Sequence, residues 1–268
     1  MDVRKRNNIR IDGEGPPILF AHGFGCDQTM WKRVWPRFAP TNTVIRFDYV
    51  GAGGADRSAY DSRRYGSMDG YVADLLEICQ SLRLEKPIFV GHSVSTMIGL
   101  RAAAEASELF DRMVLVAPSA CFVNHPPYVG GFERADIDGL LDLMDVNFMG
   151  WADALSQMAL NVPDLARELR ESFCRTDPRC LREFARVAFL TDSRAILPRV
   201  STPCLVVQCT RDDIAPIVVG EYVAAMLPHA TYRLADVPGH MPHMSHPDVV
   251  EAAIREYMSI PTERLFPS

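Results

Sequence analysis

The sequence has 268 residues, 48% of them hydrophobic, and a formal net charge of −6. This size and composition favour one large α/β domain with an insertion, and an acidic chain with no basic run beyond residues 4–6 argues against nucleic acid as a partner. No apolar segment has the length of a transmembrane helix or follows the basic N-terminus as in a signal peptide, so we expect no membrane association. Seven cysteines without metal-site spacing indicate reduced thiols and a cytoplasmic location.

The first half of the chain alternates predicted strands and helices. Alternation of apolar and polar residues predicts an edge strand at 9–12, and short apolar runs predict strands at 18–21, 43–47, 87–90 and 113–117. Helical periodicity predicts helices at 71–84 and from 97 onward. Glycine-rich residues 51–54 lack the spacing of a phosphate-binding loop, so we interpret them as a turn and Asp48 as structural. The order of elements predicts an α/β fold class with a mostly parallel, twisted sheet flanked by helices.

Residues 124–197 have a different character. Strand patterns disappear, and amphipathic helices are predicted at 137–148, 151–160, 165–173 and 179–189, with breaks at Gly150, Pro163 and Pro178. A helical insertion in an α/β chain is expected to cover the carboxyl ends of the strands, where such sheets bind ligands. We therefore predict a core of residues 1–123 and 198–268 and a helical lid of residues 124–197.

The sheet pattern resumes after the insertion. Strands are predicted at 204–208 and 231–234, and helices at 218–227 and 248–258. The first of these strands leads into Asp212 and Asp213, and the second leads into Gly239-His240.

A serine lies at the corner between the strand at 87–90 and the helix after it. In Gly91-His92-Ser93-Val94-Ser95, a sharp turn would lift the Ser93 hydroxyl out of the sheet, as in the nucleophile elbow G-x-S-x-G, with Ser95 in place of the second glycine. The alternative is a serine that only caps a helix. The pair His22-Gly23 fits an oxyanion-hole loop, although by itself it favours an ordinary glycine turn.

Serine, acid and histidine follow one another in the order typical of α/β-hydrolases, each after a predicted strand. Loops after parallel strands meet at one sheet edge, so we predict a triad of Ser93, His240 and an aspartate. Asp212 is preferred because it stands in the spacing D-x-x-x-P before Pro216, whereas Asp213 is either solvated or a partial substitute.

Two further histidines, His243 and His246, follow His240 at three-residue steps. No carboxylate or cysteine completes a ligand set beside them, so we interpret them as structural and predict no metal and no cofactor.

An apolar pocket is expected beside the triad, although at least half of the large apolar lid residues are expected only to pack helices together. The candidate lining residues are His92, Phe122, Phe132, Phe148, Trp151, Phe173, Phe189 and Ile214. The backbone amides of Phe24 and Val94 are the candidate oxyanion hole.

Six stretches make the chain resemble the RsbQ-type group of α/β-hydrolases, which includes bacterial stress-signalling proteins and the plant karrikin and strigolactone receptors. They are HGFGCDQTMW (22–31), FDYVGAG (47–53), FVGHSVSTMIG (89–99), GGFE (130–133), DDIAPIVVGEY (212–222) and GHMPHMSHP (239–247). The resemblance implies an α/β-hydrolase fold with a four-helix lid, inserted after the sixth strand, over a deep apolar pocket.

Two functions follow as hypotheses. The triad and the resemblance imply a serine hydrolase that cleaves a small hydrophobic ester or lactone, in a signalling context. The alternative is a small-molecule receptor that hydrolyses its ligand slowly or incidentally and acts on a signalling protein, such as the PAS-domain sensor phosphatase with which the bacterial members of the group work.

Overall fold

The computed structural model describes residues 2–160 and 162–266. The strands are β1 (Arg10–Asp12), β2 (Pro17–Ala21), β3 (Thr43–Arg46), β4 (Ile88–His92), β5 (Met113–Val116), β6 (Cys204–Arg211) and β7 (Ala230–Pro238). The α-helices are α1 (Val3–Arg6), α2 (Ser62–Tyr65), α3 (Met68–Ser81), α4 (Val94–Glu105), α5 (Arg134–Val146), α6 (Phe148–Ala159), α7 (Pro163–Arg175), α8 (Pro178–Leu190), α9 (Ile217–Met226), α10 (Pro242–Ser245) and α11 (Pro247–Met258). Short 3-10 helices lie at Gln28–Trp31, Trp35–Arg37, Arg57–Ala59, Arg194–Arg199 and Thr262–Leu265.

The strands form one sheet in the order β1-β3-β2-β4-β5-β6-β7. Only the edge pair of β1 and β3 is antiparallel, and the remaining neighbours are parallel. The predicted mostly parallel sheet flanked by helices is therefore confirmed. β4 lies in the middle of the sheet, so the turn after it is enclosed by neighbours on both sides.

Each face of the sheet is covered by a hydrophobic layer. Because successive side chains on a strand point to opposite faces, Leu19 and Leu115 belong to the layer beneath α3, α4 and the lid, whereas Ile18 and Val114 belong to the layer beneath α11. Strands buried on both faces read as continuous apolar runs, which is why these segments were recognisable in the sequence.

The four helices α5 to α8 follow one another between β5 and β6. One strand, β1, precedes the first parallel strand, β2, so five strands come before these four helices. The expected position after the sixth strand is therefore wrong by one. We call α5 to α8 the lid. None of the helices in the described part of the chain combines the length and the hydropathy needed to cross a bilayer.

The break predicted at Gly150 lies instead at Asn147. Gly150 belongs to the first turn of α6, and Asn147 both ends α5 and begins α6, with its side chain accepting a hydrogen bond of 2.9 Å from the Gly150 N–H. Asparagine satisfies a free amide at a helix start, so it separates two helices without a glycine or proline.

Candidate active site

Ser93 occupies the turn between β4 and α4. Its φ of 53° lies in the left-handed region that non-glycine residues rarely adopt, as expected for a strained strand-to-helix elbow. The turn is crowded, since a Cβ added to Gly91 would lie 2.6 Å from the ring of Phe89. Ser93 stands at the N-cap of α4, but within the described residues its side chain makes no capping hydrogen bond. The serine therefore does not fit the capping alternative.

Ser93, His240 and Asp212 form a chain of hydrogen bonds at the carboxyl edge of the sheet. The Oγ of Ser93 lies 2.8 Å from Nε2 of His240, and Nδ1 of His240 lies 2.8 Å from Oδ2 of Asp212. All three residues are buried. Their strands β4, β6 and β7 end at the same edge, which brings residues 147 positions apart into contact.

The structure distinguishes the two neighbouring aspartates. Asp212 turns inward, and its Oδ1 accepts hydrogen bonds of 2.9 Å from the backbone amides of Ile214 and Ala215, which hold the carboxylate in place. Asp213 is exposed. Of the two alternatives left open for Asp213, its exposure fits a solvated carboxylate.

Two further buried histidines, His92 and His243, lie near His240. His92 Nε2 makes a 2.9 Å hydrogen bond with the backbone carbonyl of His240, so it supports the loop that carries His240. His243 packs between the rings of His92 and Trp31, with centroid distances of 4.4 and 4.3 Å. Neither ring nitrogen of His243 has a hydrogen-bond partner among the described residues.

Burial keeps this pair of histidines neutral. It lowers the pKa of His243 to about 3, with further lowering by His240 and Arg33. Burial likewise holds the pKa of His92 well below its usual value, helped by the neighbouring histidines. His243 lies in the one-turn helix α10 rather than in the predicted loop. These residues therefore have the surroundings of structural histidines.

The loop after β2 holds one of the two candidate oxyanion-hole amides. The N–H of Phe24 has no acceptor among the described residues, and Val94 is the first residue of α4, whose N–H has no partner within the helix. Ser95 supports this loop, because its hydroxyl donates to the carbonyl of His22 and also contacts the Tyr49 hydroxyl at 2.9 Å. From the sequence, Ser95 is expected only to replace a glycine as a small residue, so this contact was not predicted.

Asp48 has a structural environment, in agreement with its interpretation from the sequence. It is buried, and its carboxylate accepts hydrogen bonds from the backbone amides of Gln28 and Gly54 and from the Asn8 side chain. These bonds join the loops after β2 and β3.

A small cavity opens beside Ser93. The space in which the centre of a water-sized molecule can move is about 30 Å³. Of the predicted lining residues, the cavity contacts His92, Phe122, Phe173, Phe189 and Ile214, together with Phe24 and Val94. Leu155, Leu169, Ala188 and Met241 also line it and were not predicted.

Three residues expected to line the cavity lie in a second layer behind it, among the residues the structure describes. Phe132 packs against Phe189 at 6.4 Å, and Phe148 packs against Trp151 at 5.5 Å, which in turn packs against Phe173 at 5.0 Å. The prediction for Phe132, Phe148 and Trp151 is therefore wrong, because these large rings pack lid elements together.

The lid also contacts the loop that carries His240. The backbone N–H of His240 donates a 2.8 Å hydrogen bond to the carbonyl of Ala159, the last residue of α6. This contact runs through the backbone, so no side-chain pattern could have indicated it.

Other polar clusters lie away from the triad. A groove of about 860 Å³ beside Asp27, Arg46 and Arg57 includes none of the triad residues. Cys121, His125 and Asp192 have metal-ligand atoms within 4.8 Å of one another in the described part of the chain. The Asp192 carboxylate is already held by the guanidinium of Arg194 through both oxygens, so we assign no metal there.

Comparison with known proteins gives consistent results. The sequence profile described as "Alpha/beta hydrolase family" matches residues 18–253. The chain is 37% identical to the strigolactone esterase RMS3 of Pisum sativum over 90% of this chain and 92% of that protein, and 34% identical to the karrikin insensitive 2 receptor CA of Petunia hybrida over 92% and 94%. A hydrolase structure from Oleispira antarctica, olei00960, superimposes with a TM-score of 0.94 at 40% identity and covers 97% of each chain. By fold, sequence profile and similarity to these proteins, the chain belongs to the alpha/beta hydrolase family.

Proposed function

We propose that this chain is a serine hydrolase that cleaves small hydrophobic esters or lactones. The observation that carries the proposal is the unbroken hydrogen-bond chain from Ser93 through His240 to Asp212, which ends at an apolar cavity. Two of the similar proteins, the strigolactone esterase and the Oleispira hydrolase, are named for this class of chemistry.

In the proposed acylation step, the Ser93 oxygen attacks the carbonyl carbon of the ester. His240 Nε2 accepts the hydroxyl proton, and the resulting imidazolium is stabilised by Asp212 at Nδ1. The carbonyl oxygen becomes an oxyanion in the tetrahedral intermediate. When the intermediate collapses, the bond to the leaving alcohol breaks and His240 returns the proton to that alcohol.

Deacylation repeats these transfers with water. His240 removes a proton from a water molecule, the water oxygen attacks the acyl carbon, and the bond to Ser93 Oγ breaks as the proton returns to that oxygen. The products are the free carboxylic acid and the regenerated serine. These steps need only the side chains of the triad and water, so the proposal includes no metal and no cofactor.

The proposed oxyanion hole uses backbone groups. The N–H groups of Phe24 and Val94 would donate to the developing negative charge, which lies at the N-terminus of the helix α4. The Ser95 hydroxyl holds the carbonyl of His22, two residues before Phe24, so the loop is positioned before the substrate binds. Preorganised donors of this kind stabilise the transition state more than the bound ester.

Labelling with methanesulfonyl fluoride, followed by intact mass measurement, tests the proposal. We expect one methanesulfonyl adduct on the native chain and none on Ser93→Ala, with Ser95→Ala as a control that keeps the adduct. An unmodified native chain, or an adduct that persists in Ser93→Ala, would contradict an activated Ser93.

A receptor function is the second candidate, because one of the similar proteins is named a karrikin insensitive 2 receptor. It differs from the first in requiring that binding, rather than turnover, produces the response, and a sensor phosphatase is the kind of partner that the RsbQ-type resemblance suggests. A thermal-shift titration with a synthetic strigolactone on native protein and on Ser93→Ala discriminates the two. An equal shift in both proteins with no product released favours the receptor, whereas product release by the native protein alone favours the esterase.

A further inference from the structure

The cavity beside Ser93 is much smaller than the apolar pocket that the sequence led us to expect. The centre of a water-sized molecule can move in about 30 Å³ there, so little room is left beside Ser93 for a bulky acyl group. After the alcohol leaves, the acyl group stays bonded to Ser93 Oγ inside this space until water releases it. The cavity therefore limits the acyl part of the substrate.

We propose that the enzyme is specific for the shortest acyl groups, acetyl above all, and that Phe173 of the lid sets this limit. The inference rests on the esterase function proposed above and narrows its substrate class to esters, because an opened lactone stays on Ser93 Oγ as an acyl chain longer than acetyl. An open apolar pocket would favour longer chains by about fourfold for each added methylene. A filled pocket reverses that preference, because a longer chain must displace packed side chains.

Phe173 is held in place by close packing. Its ring lies against Gly25, where an added Cβ would come within 1.9 Å of ring atom Cε1, and where φ is +69°. On its other sides the ring contacts Trp151 and Phe24, at centroid distances of 5.0 and 6.1 Å. It is 1% exposed, so the ring has little free space into which a longer acyl chain could push it.

The helix that carries Phe173 is tied to the core at two residues that precede this ring. Ser172 donates a 2.8 Å hydrogen bond to the Gly25 carbonyl. One turn earlier, Glu168 forms ion pairs with Lys32 at 2.6 Å and Arg33 at 3.0 Å. The Ser172 bond holds α7 against the loop that carries Phe24, so the ring of Phe173 is anchored beside this loop.

The test compares p-nitrophenyl acetate, butyrate and hexanoate, which share one leaving group. For the native chain we expect kcat/KM to fall by at least about tenfold from acetate to hexanoate, a discrimination within the range that pocket size provides. Phe173→Ala should raise the hexanoate-to-acetate ratio by about a hundredfold, and Phe173→Leu should raise it less while disturbing the fold less.

Phe184→Ala is the matched control. Phe184 is also a buried lid phenylalanine that packs against Phe24, at 5.6 Å, but it does not line the cavity among the described residues. Its removal should leave the acyl preference of the native chain unchanged. If Phe184→Ala relaxes the preference as much as Phe173→Ala does, general loosening of the lid is responsible and the role of Phe173 is overturned.

The remaining outcomes separate this inference from the proposed function. Equal kcat/KM for acetate and hexanoate in the native chain would overturn the size limit and leave the esterase function intact. If no ester is cleaved, the esterase function fails, and the size limit is still measured by the rates at which methanesulfonyl and hexanesulfonyl fluoride modify Ser93. We expect the shorter reagent to react at least about tenfold faster, and equal rates would overturn the limit.

Discussion

The floor and the roof of the cavity are held in place by different interactions. On the floor, Ser93, His240 and Asp212 are joined by two hydrogen bonds of 2.8 Å, each made at the end of a strand in one sheet. On the roof, the rings of Phe173 and Phe189 pack against other aromatic rings, and the lid helices are tied to the core by single hydrogen bonds and ion pairs.

This difference separates chemistry from selectivity. Hydrogen bonds fix atoms to within a few tenths of an ångström, which proton transfer requires. Packing determines a shape and tolerates exchange of one apolar side chain for another. Changes on the floor should therefore alter rates by orders of magnitude, whereas changes on the roof should alter which ester is accepted. The following four predictions test this contrast.

The largest effect is expected for Asp212→Asn. The amide would favour the wrong tautomer of His240, so kcat should fall by about 10⁴-fold in steady-state assays with p-nitrophenyl acetate. The neighbouring exposed Asp213→Asn is the matched control and should stay within about twofold of the native rate. A large loss in Asp213→Asn would show that the second carboxylate shares the role.

His243 tests how the burial of a histidine ring affects stability, because neither of its ring nitrogens has a hydrogen-bond partner among the described residues. Its folded-state pKa of about 3 lies below that of the unfolded chain, so its contribution to stability is present above about pH 6.5 and is lost as the pH falls towards 3. Between about pH 7 and about pH 5, this one group should reduce the free energy of unfolding by about 2 kcal/mol.

Urea unfolding at these two pH values measures the effect. His243→Phe should remove about 2 kcal/mol of the pH dependence, while His246→Phe, at a less buried site, should not. An unchanged pH dependence in His243→Phe would mean that this ring binds a proton in the native state as readily as in the unfolded chain.

Ser95→Ala tests the support of the floor. The loop that carries Phe24 loses its hydrogen bond from Ser95 to His22, which is worth about 1 kcal/mol, so kcat should fall by about fivefold. KM should change little, because the affected amide acts on the oxyanion of the transition state. A rise in KM with unchanged kcat would indicate instead that Ser95 shapes substrate binding.

The smallest effect is expected on the roof. Glu168→Gln removes the ion pairs with Lys32 and Arg33, and partly exposed pairs of this kind contribute about 0.5 kcal/mol to stability. The loss should disappear in high salt when urea unfolding is repeated there. A loss above about 2 kcal/mol would show that the lid is held by charge rather than by packing.

The catalytic edge was predictable because its signals are local. A serine two residues after a glycine, between a buried strand and a helix, and a histidine directly after a glycine can each be recognised within a few residues. The spacing of Asp212 to Pro216 also favoured the aspartate of the adjacent pair that contacts His240. Parallel strands then bring these local features together, since their carboxyl ends share one edge.

For the lid, the sequence did not show which side chains line the cavity. Helical periodicity located α5 to α8 and their apolar faces. One apolar face, however, carries side chains that lie at different depths from the cavity. Trp151 and Leu155 lie one turn apart on α6, yet Leu155 lines the cavity and Trp151 packs behind it. Periodicity does not distinguish these depths, because depth depends on how neighbouring helices cross.

The sequence by itself therefore determined the fold class, the order of the elements and the three residues that meet at the sheet edge. Only the tertiary structure decided the size of the cavity, the contact of Phe173 with Gly25 and the bond from His240 to the Ala159 carbonyl. Each of these contacts joins segments about 80 residues or more apart through packing or backbone atoms. Such contacts leave no local pattern, because any apolar side chain or any carbonyl could satisfy them.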